Sequence, residues 1–77
     1  MNTVGHWIQL KLEADDTQMV HIKIFNIVGE VKVSVWKTLD QGCNVIPINV
    51  SALGKGNYRV TVSYLNEQLR EERFTLY

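Results

Sequence analysis

Apolar and polar residues alternate with a period of two along most of this chain. A 3.6-residue period is never sustained, so the pattern predicts strands and not helices. Trp7-Ile8-Gln9-Leu10-Lys11-Leu12 sets Ile8, Leu10 and Leu12 on one face, and the polar run from Glu13 to Gln18 predicts a loop. Met19 to Phe25 alternates again, with Val20, Ile22 and Ile24 inward and His21 and Lys23 outward. Asn26-Ile27-Val28-Gly29-Glu30 predicts the turn out of that strand, with Gly29 at positive φ. Val31, Val33 and Val35 mark the inner face of a third strand, interleaved with Lys32, Ser34 and Trp36. A second turn follows at Asp40-Gln41-Gly42-Cys43-Asn44.

Val45 to Val50 predicts a fourth strand. Pro47 cannot donate to a ladder, which places this strand at an edge or at a bulge. Ser51-Ala52-Leu53 is the one stretch that suits a helical turn. Gly56 then precedes Tyr58, and Tyr58, Val60, Val62 and Tyr64 share a face opposite Arg59, Thr61 and Ser63. Leu65 to Gln68 predicts a hairpin turn, and Arg73-Phe74-Thr75-Leu76 the last strand. Strands spaced about ten residues apart, with turn residues between them, predict an all-β fold: a small antiparallel immunoglobulin-like sandwich of six to seven strands. The chain is long enough for one domain, residues 1–77, with residues 1–5 expected to be disordered.

Composition narrows the function classes. Eight basic residues balance eight acidic ones, so there is no broad electrostatic footprint for nucleic acid. Cys43 is the sole cysteine, which excludes an internal disulfide and a cysteine-paired metal or redox motif. His6 and His21 with Asp15 and Asp16 have no spacing typical of metal ligands, and no cofactor motif is present. No nucleophile, base and orienting group can be assembled, so an enzyme is not expected. Met1 to Gln18 lacks the basic head and apolar core of a secretory leader. An exported form would therefore take its leader from a longer parent chain.

Four segments, in order, resemble the C-terminal sorting domains of the bacterial type IX secretion system. They are Asn26-Ile27-Val28-Gly29-Glu30-Val31, Gly42-Cys43-Asn44-Val45-Ile46, Asn49 to Val62 and Arg73-Phe74-Thr75-Leu76. The third, N-V-S-A-L-G-K-G-N-Y-R-V-T-V, follows the family pattern almost without deviation. The first carries Asn26 where the family usually has Asp, and the Tyr-Pro-Asn-Pro opening common in the family is missing. The resemblance covers roughly Ile8 to Leu76, and it implies a non-catalytic transport label on a larger cargo. Its implied partners are an outer-membrane translocon, sortase-like attachment proteins and a cargo domain upstream. Its implied route is export through the periplasm to the outer membrane, cell surface or medium.

On that reading, Gly29, Gly42 and Gly56 are fold-determining turn residues. Gly56, Tyr58, Arg59, Arg73, Phe74, Leu76 and Tyr77 are the candidates for contact with the translocon. The alternative is an adhesion module that binds carbohydrate or protein through Trp7 and Trp36, both opposite the aliphatic stripes. An uncovered edge strand would also let two copies pair as a homodimer.

Overall fold

The alternation becomes seven strands: β1 (Asn2–Val4), β2 (Trp7–Ala14), β3 (Gln18–Phe25), β4 (Val31–Leu39), β5 (Gly42–Asn49), β6 (Gly56–Tyr64) and β7 (Glu67–Leu76). They are seen in a computed structural model that describes residues 2–4, 7–65 and 67–77. All pairings are antiparallel, in one sheet of order β1-β2-β5 and a second of order β4-β3-β6-β7. β3 and β4 form a hairpin. The chain then crosses to β5 in the other sheet before β6 returns to the free edge of β3. This crossover is the Greek-key connection of immunoglobulin-like sandwiches.

The inward faces meet in one core. Ile8, Leu10, Leu12 and Ala14 of β2 and Ile46 and Ile48 of β5 come from the first sheet. Val20, Ile22 and Ile24 of β3 and Val60 and Val62 of β6 come from the second, with Leu39, Val50 and Phe74 also in the cluster. Burying each Val, Leu or Ile side chain stabilises the fold by about 1.5–3 kcal/mol relative to leaving it exposed. Pro47 lies on β5, an edge strand as its missing donor requires, opposite Gln9.

Four elements differ from the sequence expectation. The first is β1: Asn2–Val4, in the segment expected to be disordered, pair with Trp7 to Gln9, and Met1 and Gly5 lie outside the described residues. The second is β4. Val33 and Val35 are only half-buried and Val31 is half exposed, because β4 is the edge of a four-stranded sheet facing a narrower three-stranded one. Third, Ser51 and Ala52 form a turn closed by Leu53 N–H donating to the Val50 carbonyl at 3.0 Å, and no helix forms there.

The fourth is β7, which starts at Glu67, six residues before the predicted strand, with Tyr64 paired directly to Glu67. Arg70 and Glu72 lie across from Val62 and Val60 and so fall on the inward side, which erases the alternation there. Their charge is accommodated at the rim of the sandwich. Arg70 Nη2 donates to Glu72 Oε1 at 2.8 Å, and Nη1 donates to the Lys11 carbonyl of β2. β1 covers β2 only from Trp7 to Gln9, so Arg70 caps a backbone acceptor just beyond the reach of β1.

Candidate functional site

The β6–β7 hairpin carries most of the residues singled out by sequence. Gly56 has φ of 146°, in the region that favours glycine, and pairs with Leu76. Two residues on, the Tyr58 ring turns inward and stacks on Phe74, centroids 5.6 Å apart. Its hydroxyl donates to the Gly54 carbonyl at 2.8 Å, four residues upstream on the β5–β6 connection. An inward tyrosine near a strand start that bonds back to the preceding corner is the tyrosine corner of immunoglobulin-like sandwiches. Gly56, Tyr58, Phe74 and the half-buried Leu76 therefore hold the corner of the fold.

The outward face of the same hairpin is charged. Arg59 lies directly across from Arg73 on one side and pairs with Phe25 on the other. Its guanidinium carbon sits 4.8 Å from the centroid of the Phe25 ring, within cation–π range. Arg59 Nε is 3.6 Å from Glu71 Oε1, too far for a strong hydrogen bond, and this shielded nitrogen has no hydrogen-bond partner. Arg73 forms no ion pair among the described residues. Like charges directly opposite on neighbouring strands repel, and here only one of the two is near a carboxylate.

The β3–β4 turn rises beside these arginines. Asn26 Oδ1 accepts from Val28 N–H at 3.1 Å and Glu30 N–H at 2.9 Å, and its Nδ2 donates to Glu30 Oε1 at 3.0 Å. That last bond needs an amide, so Asn26 gives the turn a link that Asp could not supply. Gly29 closes the turn at φ of 89°, and Ile27 and Val28 are left 81% and 73% exposed. A concavity of about 530 Å³ lies between Ile27 and Gly29 of the turn and Asn57, Arg59, Arg73 and Thr75 of the hairpin. Two arginines and no carboxylate line it. Thr75 Oγ1 donates to Asn57 Oδ1 at 2.7 Å, and both residues line it.

The structure thus brings Gly56, Tyr58, Arg59, Arg73, Phe74 and Leu76 onto two paired strands, with Tyr77 following and 99% exposed. Ile27, Asn57 and Thr75 line the concavity with Arg59 and Arg73 and are not among the candidates read from sequence. The turn was legible, but its position beside Arg59 depends on the Phe25–Arg59 pairing between strands distant in sequence. Gly42 takes φ of 106° at the start of β5, as a turn glycine. Among the remaining candidates, Trp7 and Trp36 are exposed on the outward faces of different sheets and share no surface. Trp36 instead stacks on His21, centroids 4.2 Å apart, and His21 Nε2 lies 2.6 Å from Ser34 Oγ. Cys43 is exposed, opposite Glu13. Among the described residues, no three His, Cys, Asp or Glu side chains cluster closely enough to hold a metal, and His6 lies outside them.

Comparison with known proteins adds one match. The family model described as a secretion system C-terminal sorting domain matches residues 5–74, nearly the whole chain. No curated protein and no solved structure matches it.

Proposed function

The chain belongs to the family of type IX secretion system C-terminal sorting domains, and we propose that it acts as a folded label with no chemistry of its own. Membership implies an attached cargo and export through the secretion system to the cell surface or medium. In the proposed route, the cargo crosses the inner membrane with its own leader. An outer-membrane translocon then recognises the sandwich in the periplasm, and a sortase-like protein cuts it from the cargo. The observation that carries this reading is the span of the family match, from before β2 into β7, over one continuous core. Recognition falls to the outward side of the β6–β7 hairpin, with Arg59 and Arg73 as contacts. Gly56, Tyr58, Phe74 and Leu76 act as its supports and Tyr77 as an exposed extension. An adhesion module has less support, since Trp7 and Trp36 cannot form a joint platform.

Fusion of residues 1–77 to a periplasmic reporter, in a bacterium that has the translocon, tests the proposal. The reporter is expected at the cell surface or in the medium. Retention in the periplasm, with the domain folded, would overturn it.

A further inference from the structure

The concavity between the β3–β4 turn and the outward β6–β7 face is cationic in a chain whose formal net charge is zero. Its charged lining is Arg59 and Arg73 alone. Arg59 is held in place by the Phe25 ring and by Glu71, whose Oε1 lies 3.6 Å from its Nε, while Arg73 has no ion-pair partner among the described residues. The two guanidinium groups stand on directly opposed residues, so an anion between them would relieve their repulsion as well as bond to both. Beside them, Ile27 and Val28 project into solvent from a turn whose backbone is held by Asn26. A cationic pair next to a rigid apolar knuckle is complementary to a carboxylate flanked by apolar side chains.

We propose that this concavity binds an acidic peptide segment of the secretion machinery. One Asp or Glu carboxylate is held between Arg59 and Arg73, and an adjacent apolar residue packs on Ile27, which lines the concavity. The proposal rests on the sorting function and names the chemistry by which the label is read. Association is local in its electrostatics, because the formal charge of the whole chain is zero. Arg73 contributes more to discrimination than Arg59, whose charge is already shared with Phe25 and Glu71.

Amide NMR of the isotope-labelled full chain tests this, with the blocked peptide Ala-Leu-Glu-Leu-Ala as probe. Its Gln counterpart and inorganic phosphate form separate arms. The Glu peptide is expected to shift the amides of Ile27, Val28, Arg59 and Arg73, with binding about fivefold or more tighter than the Gln peptide. Arg73→Gln is expected to remove that difference while the spectrum stays that of the folded chain. Equal binding of the two peptides, shifts elsewhere, or no shifts would overturn the proposal. Phosphate producing the same shifts at the same concentrations would also overturn it, assigning the concavity to free oxyanions. In the reporter fusion, export of Arg73→Gln at the wild-type level would sink the acidic-peptide reading and leave sorting intact. Retention of the wild-type fusion would sink sorting itself.

Discussion

The Tyr58 hydroxyl and the Leu65 backbone show how single residues set the stability of the hairpin. Tyr58 ties the β5–β6 connection to the core through its bond to Gly54, while its ring packs on Phe74. Tyr58→Phe keeps the ring and removes only the bond, a loss of about 1 kcal/mol. The thermal midpoint is expected to fall by about 4–8 °C, measurable by circular dichroism. Leu65 presents the opposite case. It takes φ of 50° in a tight connection between Tyr64 and Glu67, and its side chain is 80% exposed and contributes little. A left-handed conformation is costly for leucine and tolerated by asparagine. Leu65→Asn is therefore expected to raise the urea midpoint, by the equivalent of about 0.5–1 kcal/mol.

At the level of the element, β7 is the instructive case. The inward Arg70 bonds the Lys11 carbonyl of β2 where β1 no longer reaches, which blunts a sheet edge that could otherwise accept another copy. Arg70→Met keeps the stem packed and frees that acceptor. The variant is expected to self-associate more strongly than the parent as concentration rises in sedimentation velocity. A monomeric variant would show that the bond does not guard the edge. The same arginine explains what the sequence concealed. β2, β3 and β6 were legible because Ile8, Leu10, Val20, Ile22, Val60 and Val62 face a common core and alternate cleanly. Glu67 to Arg73 has charges on both faces, so its strand could not be seen from periodicity. Val31 was legible as strand but not as half exposed, since the width of the facing sheet is a tertiary fact. The site was half legible. Arg73 is a motif position and Arg59 a candidate beside the Gly56–Tyr58 motif, yet their opposition, and the turn beside them, arise from register across β3, β6 and β7.

The whole molecule is a flattened slab, 36 × 25 × 16 Å, about one core thick. Proteins hold roughly 0.05–0.15 kcal/mol per residue, so this chain should hold about 4–12 kcal/mol in all. Ile22 is fully buried on β3, the strand flanked by both β4 and β6. Ile22→Ala should cost about 2–5 kcal/mol, a large share of that total. The variant is expected to melt in one transition far below the parent by calorimetry. If the parent were the more weakly stable of the two, the single shared core would be the wrong description.

The Greek-key path has a consequence for synthesis. β3 ends at Phe25, and β4 soon covers one edge, but the strand that closes its second edge begins only at Gly56, so a chain growing from its N-terminus leaves that edge bare. At roughly 5–20 residues per second, the interval before that partner begins to be made is about 2–6 s. Translation that stopped short of Gly56 would yield a product with neither the tyrosine corner nor the paired arginines. On the sorting reading, a message truncated before that strand would produce cargo without a readable label, so export would select against such products.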